Sequence, residues 1–493
     1  MMKIHPIFLI LILVISSCNP PISAPNVTSV PQPLPSNTSQ SILPTSTAPP
    51  LSLDVKPLVW FAPLPPLAIV EGRKFIGSDD FMQLFEPDAA WQEAASHVQV
   101  FKLYGEWVGY ASDSQLKQVI QDTQSRGFAL AMEFGPLDAE DCGNGIEGFS
   151  GVSYAVATAQ RIKSAGGTLT FLAMDEPYYY AHTYDGPQAC HWSAEKIAHE
   201  INQFVDSMKA VFPDILIGDT EAMAGAAGVE EYKNWLKTFR DVNGYDLAFL
   251  HLDVDWGRPN WPTEVSSLVE YGDQVNVPVG IIYGGNGFDQ TDEAWLSAAG
   301  ERVKKLEIGT NTDPAHILFQ SWNDKPDHIL PETTEYTFTN FIDVYFTDKS
   351  ALGFKREGEG ANLALGKPVR ISSLTGEMAG ALAVDGDLGT LWNSGGGPTQ
   401  WIEVDLGAEY SIAEISLTTS QYPEGQTIHH ILGRSSSGQF VELAKFDGNT
   451  TDGETLIFKP AQPVQGIRFI RVETIASPSW VAWREIEVIE AGK

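Results

Sequence analysis

Two acids and a proline, Asp175-Glu176-Pro177, close the apolar run Leu169-Thr170-Phe171-Leu172-Ala173-Met174. The run suits a strand buried on both faces, and Pro177, with no N–H to donate, ends it. A pair of carboxyls at such a place can do general acid/base work. Burial or a neighbouring charge raises one pKa, so that one group keeps its proton while the other stays ionised. Glu176 is the candidate proton donor and Asp175 the candidate holder of substrate hydroxyls. Tyr178, Tyr179 and Tyr180 follow at once and can wall a pocket. The plainer alternative is an acid pair that caps a loop and faces water.

Similar endings recur along the chain. Further apolar runs close on Glu133-Phe134, on Asp219-Thr220-Glu221, on Asp253-Val254-Asp255-Trp256, on Tyr283-Gly284-Gly285 and on Ser321-Trp322-Asn323. A second carboxylate is expected first at Glu221 and next at Asp253. Asp255 is a further replacement, with Asp289 and Glu133 behind it. Tyr178, Trp256, Tyr283, Trp322 and Glu133 are candidate substrate contacts, beside Asp175.

The elements that must position these residues alternate between two periodicities. Strands are expected at 58–61, 98–103, 129–134, 169–174, 215–218, 247–252, 277–282 and 317–320, with amphipathic helices between them. One helix should start at Ser112/Asp113 and stop at Gly127. Another should start at Ser193, carry Ile197, Ile201, Phe204, Val205 and Met208 on one face, and stop before Pro213. Alternating strand and helix implies a parallel α/β fold. Eight strands suit a (β/α)8 TIM barrel, in which the strand C-termini gather the chemistry. An open doubly wound sheet is the competing fold, but no glycine-rich phosphate loop follows the first strand.

Met174-Asp175-Glu176-Pro177 resembles the strand-four Asn-Glu-Pro motif of the clan A glycoside hydrolases, with Asp in place of Asn. Trp322 resembles the tryptophan at the end of their eighth strand. The resemblance implies a sugar substrate, Glu176 as general acid/base, Asp175 on the sugar 2-hydroxyl, and no cofactor for catalysis. It departs at strand seven: the clan's nucleophilic glutamate has no counterpart in Ile281-Ile282-Tyr283-Gly284. The two-carboxylate mechanism needs a replacement. Without one, the barrel would bind a glycan and not cleave it. A lyase or a deacetylase is a third reading; the latter needs a metal cluster, for which His251, Asp253 and Asp255 are the only weak group.

After a polar, glycine-rich stretch at 351–361, the pattern becomes all-β, with short alternating runs and turn residues between them. Asn362-Leu363-Ala364-Leu365-Gly366-Lys367-Pro368-Val369, Ala383-Val384-Asp385-Gly386-Asp387, Thr390-Leu391-Trp392, Gln400-Trp401-Ile402-Glu403-Val404-Asp405-Leu406-Gly407, Ile467-Arg468-Phe469-Ile470-Arg471-Val472 and Glu485-Ile486-Glu487-Val488 follow in order. They resemble discoidin, or coagulation factor 5/8 type C, domains. The resemblance implies a galactose-binding-like jelly-roll sandwich that binds carbohydrate. It also implies a structural calcium ion held by Asp385, Asp387, Thr390 and Glu485, with carbonyls of Leu382 and Arg484; the alternative is an Asp-Gly turn without metal. Trp392, His429, Arg434 and Trp480 are the sugar-site candidates, set against the reading that Trp392 and Trp480 are core or rim residues.

The chain has 493 residues and a formal charge of −32. That charge excludes a phosphate-binding, nucleic-acid role. Residues 1–18 read as an export signal ending in Ser17-Cys18, similar to a bacterial lipobox, so lipid is expected on Cys18. Residues 19–55, rich in Pro, Ser and Thr, read as a disordered spacer. Cys142 and Cys190 either form a disulfide or stay as two thiols. The resulting expectation is an exported, lipid-anchored monomer that meets the membrane only through that anchor. Its barrel at 56–350 is a glycoside hydrolase acting on an oligo- or polysaccharide, and its module at 362–493 binds carbohydrate. The alternative is a non-catalytic glycan-binding lipoprotein.

Overall fold

The computed structural model describes residues 55–66, 77–258, 260–355, 360–376 and 378–492. The expected export signal, the lipidation site at Cys18 and the spacer up to residue 54 lie outside the described residues.

Eight parallel strands close into a barrel in chain order: β1 (Leu58–Ala62), β2 (Val100–Tyr104), β3 (Ala129–Phe134), β4 (Leu169–Asp175), β5 (Leu216–Met223), β6 (Leu250–Val254), β7 (Val279–Tyr283) and β8 (His316–Gln320). The helices are α1 (Gln92–His97), α2 (Gly105–Tyr110), α3 (Asp113–Arg126), α4 (Val152–Ser164), α5 (Ala194–Val211), α6 (Val229–Asn243), α7 (Trp261–Val275), α8 (Asp292–Val303) and α9 (Phe338–Thr347). Local signals set their ends. Ser112 caps α3 in a capping box with Gln115, and Gly127 closes it in the left-handed region at φ 80°. Ser193 caps α5 by accepting the Lys196 N–H, and that helix buries the expected Ile197, Ile201, Phe204, Val205 and Met208 face.

Side chains alternate along each strand between barrel interior and helix layer. The interior holds Leu58, Trp60, Val100, Ala129, Ala131, Phe171, Ala173, Phe249, Ile282 and Leu318. Large rings need small neighbours: a Cβ on Gly218 would lie 2.4 Å from the Phe249 ring. The opposite parity packs on the helices, and includes Leu172, Met174, Ile217, Ile281 and Tyr283. This parity decides which strand-end residues reach the mouth.

The expected fifth strand stops at Gly218, but β5 runs on to Met223. Its pairing with β6 continues through Glu221↔Leu252 to Met223↔Val254, so Asp219-Thr220-Glu221 is pleated strand and not loop.

The tail is an antiparallel β-sandwich of β9 (Val369–Ile371), β10 (Trp392–Asn393), β11 (Gln400–Thr419), β12 (Gly425–Arg434), β13 (Val441–Thr450), β14 (Thr455–Phe458), β15 (Val464–Ala476) and β16 (Ala482–Glu490). Its core gathers Trp392, Ile402, Val404, Ile415, Leu417, Ile470, Val472, Trp483, Ile486 and Val488. The stretch read as a linker is partly packed. Leu352 is buried, and the Phe354 N–H donates to Glu301 on α8.

Candidate functional site

Pleat parity sends Lys102 and Tyr104 (β2), Glu133 (β3), Asp175 (β4), His251 and Asp253 (β6), and Gln320 (β8) toward the barrel axis, each in step with an interior apolar residue of its own strand. Trp322, just past β8, packs against that interior cluster. Glu176 follows β4 with φ 48°, a left-handed conformation that costs a non-glycine residue of order 1 kcal/mol. Its N–H donates to the Thr220 carbonyl at 2.9 Å, which fixes where the turn leaves the strand.

The acids among them, Glu133, Asp175, Glu176 and Asp253, lie close enough at the mouth to feel one another's charge. Burial pushes the Glu176 carboxyl well above the usual carboxylate range, and the charges of Glu147, Asp253, Asp175 and Glu221 push it further. Asp175 is raised well above its ordinary value by burial and then by Glu147, Glu133 and Glu106, with Lys102 opposing. Burial, with Glu147 and Glu133 nearby, takes Asp253 to about 8. Lys102, fully buried, is ion-paired with Glu133, and Gln320 Nε2 donates to the same carboxylate at 3.2 Å.

Glu147 is a member that the sequence reading missed. It lies on the long β3–α4 loop with no strand to mark it, and it shares a hydrogen bond with Tyr180. Its carboxyl is raised by burial and by Glu133 and Glu106, although the residue is solvent-exposed and water screens part of this effect. A Cys142–Cys190 disulfide, Cα atoms 5.3 Å apart, ties its loop to the segment leading into α5. Of the two cysteine alternatives, the bridge is the one formed.

Several expected contacts point elsewhere. Glu221 and Asp219 have the parity of Ile217, away from the axis. Glu221 accepts the N–H groups of Tyr178 and Tyr179, both at 2.8 Å, and Asp219 accepts Trp235 Nε1 at 2.7 Å. Glu221 is therefore a backbone clamp beneath the Glu176 turn. Burial and then Asp219 raise its carboxyl well above the usual range. Tyr178 is buried against Trp235, with its hydroxyl donating to Glu231, and Tyr283 is buried with its hydroxyl donating to Glu307. Neither tyrosine lines the mouth. Trp256 is covered by the Arg302 guanidinium, 4.7 Å from its ring centre, and meets Trp261 edge-on. Asp289 is turned onto the Asn286 N–H. His251 lies below the mouth, 2.9 Å from His316, and burial holds both imidazoles well below their usual range. His251, Asp253 and Asp255 do not converge as metal ligands. Among the described residues the group that does is Asp292, Asp327 and His328, and Lys325 already occupies it, 2.6 Å from Asp327.

In the tail, residues 369–486 match the family model described as F5/8 type C domain. The tail is an F5/8 type C domain. Similar solved structures include the family 32 carbohydrate-binding module of C. perfringens NanJ in complex with galactose, at 18% identity over 25% of this chain and 94% of that one, TM-score 0.23. A Streptococcus pneumoniae fucose binding module matches at 23% identity over 27% and 96%, TM-score 0.23. The chitosan-binding module 1 of a Paenibacillus sp. IK-5 chitosanase/glucanase matches at 26% identity over 26% and 97%, TM-score 0.22. No curated protein matches the chain.

The F5/8 type C domain separates its four sugar-site candidates. Trp392 is fully buried core and donates Nε1–H to the Ser373 carbonyl. Arg434 stacks 3.5 Å over Phe469 at the far end of β12. His429 and Trp480 do meet, around a small cavity also lined by Gln421, Thr474 and Trp483. Trp480 is 48% exposed there, while His429 Nε2 and Trp483 Nε1 are buried without a partner among the described residues.

The expected calcium ligands cluster as well. Thr390 Oγ1 lies 2.9 Å from both the Leu382 carbonyl and Asp385 Oδ1, and the Asp387 N–H donates to Asp385 at 3.0 Å. Glu485 is 3% exposed, and its carboxylate makes no full hydrogen bond among the described residues, with the Gly386 N–H the one donor turned toward it. Burial and then Asp385 raise it well above the usual range. The three acids do not converge as one ligand group, and the Asp387 carboxylate is turned to Arg302, but Asp385, Thr390 Oγ1, the Leu382 carbonyl and the buried Glu485 are oxygen donors of the kind a hard divalent cation takes.

Proposed function

We propose that this chain is a glycoside hydrolase of the cell envelope, in which Glu176 donates the proton to the leaving oxygen and Asp253 is the second carboxylate. The observation that carries the reading is the meeting of Glu176, Asp175, Asp253, Glu133 and Glu147 at one barrel mouth, where burial and mutual repulsion keep Glu176 protonated. Mutually repelling carboxyls cannot all ionise together, so the cluster keeps a proton donor near neutral pH, and Asp253, at about 8, reaches its ionised form on the alkaline side. Asp253 takes precedence over Glu221 because strand parity turns it inward, while Glu221 is committed to two backbone N–H groups. Trp322 supplies an apolar face for a sugar ring.

In this reading the F5/8 type C domain is the carbohydrate-binding module. The exposed Trp480 faces the ligand, and His429 lies buried behind the cavity against Trp483. Asp385, Asp387, Thr390 and Glu485, with the Leu382 and Arg484 carbonyls, would hold calcium, which supplies local structure and takes no part in bond cleavage. The lipobox-like end at Cys18 supports export and lipid anchoring of a monomer. Among the described residues no helix is long and apolar enough to cross a membrane.

The second reading is a barrel that binds glycan without cleaving it. It is favoured by Tyr283-Gly284-Gly285, where the resembled clan has its nucleophile. Glu176→Gln separates the two. In a hydrolase, turnover of an unactivated glycoside falls about 10²–10⁴-fold, the loss is smaller with an activated leaving group, and glycan binding persists. Absence of turnover by the wild-type chain across a glycan panel, with binding intact, establishes the second reading instead.

A further inference from the structure

The acidic loop 385–390 of the F5/8 type C domain does not hang free on a tether. It is pressed onto the barrel at the loops that follow β6 and β7. Asp387 Oδ1 accepts Arg302 Nη2 of α8 at 3.1 Å, Asn286 Nδ2 of the β7–α8 loop at 3.1 Å, and its own loop's Gly389 N–H at 2.9 Å. Arg302 and Asp387 are both almost fully buried. Gly389 lies against Gly257, where a Cβ on Gly257 would come within 2.7 Å of the Gly389 carbonyl oxygen. The Arg484 guanidinium stacks 4.3 Å over barrel Phe288, while its Nη1 donates to the Leu388 carbonyl of the acidic loop.

Asp387 thus belongs to two groups at once. Two barrel side chains orient its carboxylate, while its backbone joins the oxygen cluster: its N–H donates to Asp385 and its carbonyl accepts Thr390 Oγ1. The shared backbone of the 385–390 loop makes the two groups interdependent. Arg302 pairs with Asp387, and the half-buried Asp385 has Lys305 at 3.9 Å. Lys305, over a third exposed, is free to turn to solvent when a cation enters. A cation on Asp385, Thr390 and Glu485 would order the loop from one side, and Arg302 and Asn286 hold the same loop through Asp387 from the other.

We infer that the cation site of the F5/8 type C domain is thermodynamically coupled to its docking on the barrel through Asp387, Arg302 and Asn286. This rests on the calcium reading given under the proposed function. Cation binding tightens the domain contact, and the barrel in turn raises cation affinity, because such linkage is reciprocal.

Hydrogen exchange on the full-length chain, with Ca2+ or with chelator, tests the coupling. Chelation should speed exchange in the 385–390 loop and also in barrel segments 255–258 and 284–291, while the barrel strands stay protected. Arg302→Gln should weaken Ca2+ binding, read by calorimetry, by roughly 5- to 150-fold, the usual span of such coupling. Asn286→Ala should shift it in the same direction by less, and serves where the Arg302 variant folds poorly. Glu485→Gln should abolish the Ca2+ response in both domains. If Ca2+ protects only the 385–390 loop, or if both barrel variants bind it with wild-type affinity, the coupling is wrong and the calcium reading survives. No Ca2+ response in the wild-type chain overturns both.

Discussion

Glu221 holds the backbone N–H of Tyr178 at 2.8 Å, and through it the turn on which Glu176 sits at φ 48°. The carboxylate nearest to Glu176 along the neighbouring strand is spent on aiming that residue. Two buried N–H groups depend on it, and each would otherwise lie at a place where water cannot replace the bond.

Glu221→Gln therefore acts on the fold before it acts on chemistry. The amide nitrogen cannot accept, so one of the two N–H groups is left unpaired. A loss of about 1–3 kcal/mol is expected, read as a fall in denaturation midpoint at unchanged m. Any loss of turnover should leave the shape of the pH–rate profile unaltered, whereas Glu176→Gln should remove its basic limb.

Asp253 gives a pH signature. Its folded-state value of about 8 stands above the unfolded value of about 3.9. Between those values the folded chain holds a proton that the unfolded chain has released, so stability falls as pH rises through the window. Thermal unfolding should move down between pH 5 and pH 8. Asp253→Asn should flatten that dependence and gain roughly 1–3 kcal/mol at pH 8, while abolishing turnover. An unchanged pH slope in the variant would remove Asp253 from the cluster.

Lys102 is a buried cation whose ion-pair partner at the mouth is Glu133. Lys102→Met leaves that carboxylate buried with Gln320 as its remaining donor, at an expected cost of about 3–5 kcal/mol. The double variant Lys102→Met/Glu133→Gln should recover part of the loss, because the uncompensated charge is gone. Urea denaturation of the two single variants and the double variant gives the coupling directly.

The Cys142–Cys190 bridge closes a segment with a sequence separation of 48 and anchors the loop that carries Glu147. Reduction, or Cys142→Ser with Cys190→Ser, should lower stability by about 2–4 kcal/mol. It should also raise protease sensitivity between β3 and α4 more than elsewhere in the barrel.

The residues alone carried a good deal of this molecule. The alternation of apolar runs with amphipathic segments capped at Ser112 and Ser193 carried the (β/α)8 order, because periodicity and capping are local properties. The ordered tail motifs carried the F5/8 type C domain. That Asp175 and Glu176 close a strand was equally local, since Pro177 ends it. Which strand-end side chains meet was not local. Asp219-Thr220-Glu221 reads as the ending of a strand that stops at Gly218, yet pairing with β6 keeps it pleated, and one residue of parity moves Glu221 from the mouth to the helix layer. Tyr178 and Tyr283 left the pocket for the same kind of reason, as buried hydroxyls that found Glu231 and Glu307. Glu147 entered it from a loop with no periodicity at all. Asp387 had the look of a metal ligand in its own module, and only the packing of that module on the barrel showed it bound to Arg302 as well. Local pattern determines which elements form; closure of the barrel and docking of the sandwich, which depend on contacts far apart in the chain, decide which side chains face one another.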